Sequence, residues 1–114
     1  MNSIHKGNAI VDGRLTREWI VGHFMPEGDI RNTSAVEIKW GNLKKGDRRT
    51  EWVTGEHRTA IAILISGKQL FEFPDEKVEL NHQGDYVMWG IGVDHRWEAL
   101  EDTVIITVRW PSVS

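Results

Sequence analysis

The sequence predicts an all-β domain, a barrel or double-sheet jelly roll, on three observations. The dominant periodicity is two rather than 3.6, about nine short strand-like runs recur at even spacing between turn signals, and no stretch has the pattern of an amphipathic helix or a βαβ unit. With 114 residues the chain is long enough for one core, burying roughly two thirds of the surface its unfolded form exposes. A single domain is expected, with no internal linker, repeat or low-complexity segment.

Residues 1–15 carry no sustained apolar pattern. They read as a loose N-terminal segment, or as an edge strand packed on a partner, ahead of a barrel domain over residues 16–114. From Glu18 to Met25, Trp19, Val21, His23 and Met25 share one face; from Ala35 to Trp40, Val36, Ile38 and Trp40 oppose Ala35, Glu37 and Lys39. Both runs read as half-buried strands. Further strands are expected over Arg48 to Thr54, Arg58 to Ser66, Gln69 to Phe73, Lys77 to Leu80, Asp85 to Trp89, His95 to Ala99 and Thr103 to Trp110. The turns between them are marked by Pro26-Glu27-Gly28-Asp29, Lys45-Gly46-Asp47, Thr54-Gly55-Glu56, Ser66-Gly67-Lys68 and Gln83-Gly84-Asp85.

Composition narrows the function. There is no cysteine, which removes disulfides, thiol nucleophiles and thiolate metal sites, so any metal must be held by His, Asp, Glu or backbone oxygen. The N-terminus lacks the basic start and the apolar core of about 7 to 15 residues of a secretory signal. The longest apolar run, Ala60 to Ile65, is six residues, against the ~20 needed to cross a bilayer. A cytoplasmic protein without a membrane partner is expected. A formal net charge of -3 argues against nucleic acid, whose binders carry basic patches. The basic cluster Lys44, Lys45, Arg48 and Arg49 is broken by Gly46 and Asp47 and reads as a solvated turn rather than an anion site.

One motif stands out. Gly84, Gly92 and His95 fall at the spacing of the second cupin motif, which runs glycine, five residues, proline, one residue, glycine, two residues, histidine, three residues, asparagine. Here Gly90 stands at the proline position and Ala99 at the asparagine. The chain therefore resembles the cupin superfamily from about Ala35 to Trp110. The first cupin motif is degenerate: anchored on Gly46, its paired histidines fall on Trp52 and Thr54, and anchored on Gly67, its glutamate falls on Ala60. The resemblance implies a jelly-roll β-barrel (a double-stranded β-helix) with an internal pocket. Cupins that keep both motifs hold iron, manganese, zinc or nickel there, and the loss of three of the four ligand positions leads us to expect no such cofactor in this chain.

The expected activity is binding of an unidentified small molecule. The candidate pocket residues are His95, Trp97, Trp52 and Arg58, with Arg109 as a second group able to fix an anion. His95 suits a hydrogen-bond partner or general base, and Trp97, two residues on, shares its face. Six tryptophans include Trp89 and either Trp40 or Trp110 as further candidates for an aromatic wall, with core packing or a subunit contact as the alternative. Two other readings remain open. In one, His95, His23 and His57, with Glu37, form a reduced ligand set for a divalent iron, manganese, nickel or zinc in a metal-dependent enzyme. In the other, the interior is filled and the domain is an interaction module. A homodimer is the oligomeric state that the resemblance implies.

Overall fold

The structure, a computed structural model, describes residues 4–113. It has eight strands: β1 (Trp19–Val21), β2 (Glu37–Leu43), β3 (Thr59–Ser66), β4 (Gln69–Glu72), β5 (Lys77–Leu80), β6 (Tyr86–Trp89), β7 (Arg96–Ala99) and β8 (Thr103–Trp110). They form two antiparallel sheets, a five-stranded one in the order β1-β2-β8-β3-β6 and a three-stranded one in the order β5-β4-β7. This is the double-sheet jelly roll that the alternation predicts, with the sheets facing each other rather than closing into one continuous ladder.

The register explains why the interior is where it is. Across the large sheet, one row aligns Glu37, Arg109, Ala60 and Trp89, the next Lys39, Thr107, Ala62 and Val87, and a third Gly41, Ile105 and Leu64. These rows point inward. Facing them, the small sheet aligns Gln69 with Leu80 and Ala99, and Phe71 with Val78 and Trp97. Ala60, Ala62, Leu64, Phe71, Leu80, Val87, Trp89 and Ile105 form the buried apolar cluster between the sheets. Because side chains alternate along a strand, the complementary rows point outward: Ile38, Val108, Ile61 and Met88, then Trp40, Ile106, Ile63 and Tyr86.

Four elements depart from the sequence reading. In β2 the half that turns inward is the polar one, Glu37 and Lys39, while Ile38 and Trp40 face out, because the interior supplies charged partners for Glu37. The stretch Arg48 to Thr54 is not a strand. It follows the edge of β7 through two isolated bridges, Arg48 to Glu98 and Val53 to His95. The N-terminal segment contains a single helical turn, α1 (Ala9–Asp12), where the Asn8 side chain accepts hydrogen bonds from the Ile10 and Val11 amides, followed by a 3-10 turn over Gly13–Leu15. Four residues are too few to show a helical period in sequence. β1 itself is short: its pairing with β2 shifts between Trp19 and Val21, and the chain turns away at Gly22, so His23 and Met25 leave the strand. Among the described residues, no helix is long and apolar enough to cross a membrane.

Candidate ligand cavity

Between the two sheets lies a cavity of about 280 Å³. Small residues make the room. Gly41 is on its wall, where an added Cβ would come within 3.1 Å of Ile105 Cγ2, and the row beside it carries Ala62 rather than a large side chain. The apolar part of the wall is Leu43, Val53, Phe71, Trp89, Trp97 and Ile105. The polar part is Lys39, Arg49, Glu56, Gln69, His95, Thr107 and Arg109, with Trp19 closing one side.

His95 immediately precedes β7 and follows the turn at Gly92, while Gly84 turns the chain at the other end of β6. Gly84 and Gly92 have φ of +90° and +80°, left-handed conformations that favour glycine. The Gly92 amide donates to the Glu56 carbonyl at 2.8 Å, and the His95 backbone exchanges two hydrogen bonds with Val53. The ring lies 4.7 Å from the Trp89 ring and is 8 % exposed. Its Nδ1 is 3.0 Å from the Val93 carbonyl oxygen. A carbonyl only accepts, so Nδ1 carries the proton and Nε2 keeps a lone pair, with no hydrogen-bond partner among the described residues. Burial lowers the imidazole pKa, and the charges of Arg49 and Arg109 add to that, against opposition from the Val93 hydrogen bond and Glu56. His95 is therefore a neutral base on the cavity wall.

Behind the wall runs an ion network centred on Glu37, whose side chain is fully buried. One carboxylate oxygen accepts from Arg58 Nη1 at 2.7 Å and from Arg109 Nη2; the other accepts from Ser112 Oγ at 2.8 Å. Ser112 Oγ also lies 2.7 Å from His23 Nδ1 and accepts from the His23 amide. Arg58 Nε donates to Glu56 at 2.6 Å. Burial opposes the charge on Glu56, but Arg58 and Arg109 outweigh it and lower the carboxyl pKa. Two guanidinium groups thus balance two carboxylates. On the cavity side, Trp19 lies under two cations, with Arg109 Cζ 4.2 Å and Lys39 Nζ 5.2 Å from its ring centroid.

The sequence-predicted residues separate in space. His95 and Trp97 are on the cavity wall together with Trp89. Arg58 is not on the wall but in the network behind it. Trp52 lies outside, 38 % exposed, with the Arg96 guanidinium 4.5 Å from its ring centroid. Trp40 and Trp110 are likewise absent from the wall. The position that faces inward between the two degenerate histidine sites is Val53, which bridges to His95 and offers no donor. The alternative metal set does not assemble: His23 is engaged with Ser112, 3.6 Å from Glu37, and His57 is exposed. Among the described residues no three His, Asp or Glu side chains form a group that could hold a metal ion. The wall offers one imidazole and one carboxylate, the latter already bound to Arg58, so the donor set does not fit a cupin metal.

Among the wall residues not singled out as pocket groups in the sequence are Trp19, Lys39, Arg49 and Gln69. Arg49 corrects the reading of the basic cluster. Lys44, Lys45 and Arg48 are exposed as expected for a solvated turn, but Arg49 reaches the cavity because its amide is tied to the Trp97 carbonyl at 2.9 Å. Nothing in sequence marks an inward lysine in β2, whose alternation pairs its polar residues with what looks like the solvent side.

No protein-family model and no curated protein matches the sequence. Solved structures do. KdgF from Halomonas sp. superposes with a TM-score of 0.63 at 24 % identity, over 69 % of this chain and 72 % of that one. A Cupin 2 conserved barrel domain protein from Salinispora arenicola gives 0.61 at 22 % identity, over 76 % and 71 %. A cupin-2 domain containing protein from Shewanella frigidimarina gives 0.55 at 18 % identity, over 72 % and 76 %.

Proposed function

We propose that this chain, which has the cupin fold, binds a small organic molecule between its two sheets without the four-ligand metal centre of metal-dependent cupins. The observation that carries this reading is the cavity itself: about 280 Å³ of space walled by aromatic rings, with the unpartnered Nε2 of His95 on its wall. A domain serving only as an interaction module has no need of such a space. His95 acts as the hydrogen-bond acceptor for the ligand, and Trp89 and Trp97 supply the apolar contact. Trp52 and Arg58 serve as supports, one shielding the edge of β7 and the other fixing Glu56 and Glu37.

The test is a titration of intrinsic tryptophan emission and melting temperature against a metabolite panel. A hit is expected to shift both, and His95→Ala is expected to weaken its binding about tenfold through loss of one buried hydrogen bond. A panel in which nothing binds, or hits that ignore His95→Ala and Trp97→Leu alike, would remove the reading. We also propose that the protein works as a homodimer joined through the outward rows of the large sheet, where Tyr86 and Met88 are 62 % and 51 % exposed.

A further inference from the structure

The charge on the cavity wall is opposite to that of the chain. The whole chain carries a formal net charge of -3, whereas the wall presents Lys39, Arg49 and Arg109 against the single carboxylate of Glu56. Arg109 and Arg58 are accounted for by Glu37 and Glu56. Lys39 and Arg49 are not: neither forms an ion pair among the described residues. Burial lowers the Lys39 pKa, and the charges of Arg109 and Arg49 lower it further against Glu18. Glu18 favours the Lys39 charge from a distance but forms no ion pair with it, so the half-buried ammonium keeps its contact positions open.

A second observation is independent of charge. Arg109 Nε, Gln69 Oε1 and Trp89 Nε1 are buried without a hydrogen-bond partner, and all three belong to wall residues. Only Trp40 Nε1 and Asn81 Oδ1 share that condition elsewhere among the described residues. These atoms are themselves closed to solvent, so they show a polar wall only partly satisfied by its own packing.

We propose that the ligand is a small organic acid whose carboxylate pairs with Lys39, with Arg49 at the mouth drawing it in and the rest of the molecule lying against Trp89, Trp97 and Phe71. This rests on the small-molecule reading above and names its substrate class. The wall supports an organic anion rather than a bare inorganic one: Lys39 and Arg109 lie on the Trp19 side, Arg49 is tied to Trp97, and Leu43, Phe71, Trp97 and Ile105 supply apolar surface. A single inner cation suits one negative charge. A cavity of about 280 Å³ sits at the small end of ligand sites and suits a metabolite.

The experiment titrates the full chain with aliphatic, aromatic and sugar-derived monocarboxylic acids, each beside its neutral primary amide, and with inorganic phosphate and phosphate monoesters. The readouts are tryptophan emission and calorimetry. The expected result is that at least one acid binds, that its amide binds tenfold or more weakly, and that Lys39→Met removes this preference while the variant keeps its melting temperature. Arg49→Gln, at an exposed position, serves as the second variant and is expected to slow association and reduce its dependence on salt. Amides that bind as well as acids overturn the carboxylate assignment and leave the small-molecule reading standing. Phosphate or its esters binding more tightly than every acid overturns it in favour of another anion. A preference that survives both variants overturns the assignment to Lys39 and Arg49. No binding by any compound counts against the small-molecule reading itself.

Discussion

At the scale of single residues, the cavity depends on groups held in one protonation state by their surroundings. His95 is the clearest case. Burial keeps its folded pKa below the ordinary value of 6.5. Above that value both folded and unfolded chains hold a neutral ring; as pH falls below it the unfolded chain takes up the proton first, so stability declines until the folded pKa is passed. Urea unfolding from pH 7.5 downward is expected to show this loss, and His95→Gln to flatten that part of the profile; an unchanged slope would show that the ring is not held neutral. Glu37 gives the larger effect. It is the fully buried one of the two acids that Arg58 and Arg109 share, and Glu37→Gln leaves guanidinium charge unbalanced beside a buried amide. The expected cost is about 3 kcal/mol, measured by denaturant midpoint; a cost under about 1 kcal/mol would mean the network is solvated and incidental.

At the scale of elements, what can be read from sequence follows the strength of the alternation. β3 carries Ala60, Ala62 and Leu64 on one face and Ile61 and Ile63 on the other, and its strand character was plain; which face is inside was not, since both are apolar. β2 shows the limit from the other side: a period-two pattern gives two faces but not the partner that decides between them, and here Arg58 and Arg109 draw Glu37 inward. The Gly84, Gly92 and His95 spacing located one corner of the cavity because it encodes two turns flanking β6, a local property. Lys39, Gln69 and Trp19 reach the same cavity from β2, β4 and β1, and no local pattern links them. The Arg48 to Thr54 run has strand-like composition but bonds to β7 only intermittently, which makes it an irregular flap over the cavity mouth. Val53→Pro is expected to remove the amide bond to the His95 carbonyl, 2.8 Å in length, and to shift the His95 ring resonances in NMR while the dispersed spectrum of the two sheets persists; unchanged His95 resonances would show that the flap does not position the ring.

At the scale of the whole molecule, both faces of the large sheet are largely apolar, the inner one holding the core with charge around a cavity and the outer one carrying branched aliphatic and aromatic residues. Ile106 sits at the centre of the outer face, beside Trp40 on β2 and Ile63 on β3. Light scattering at micromolar concentration is expected to give a dimer mass, and Ile106→Lys a monomer of unaltered secondary structure; a wild-type monomer would remove the self-association proposal. The inner face has a different consequence, set by β1. This strand has three residues, pairs only with β2 through a shifted register, and follows two residues, Arg17 and Glu18, with positive φ of 53° and 75°. Yet it carries Trp19, the ring that closes one side of the cavity. This wall strand is thus the least securely fastened in the sheet, and if the proposed acid lies against it, its residence time is expected to follow how often that strand detaches. Amide exchange should be fastest at β1 in the free protein and should slow there most on saturation, a kinetic gate built from one short edge strand.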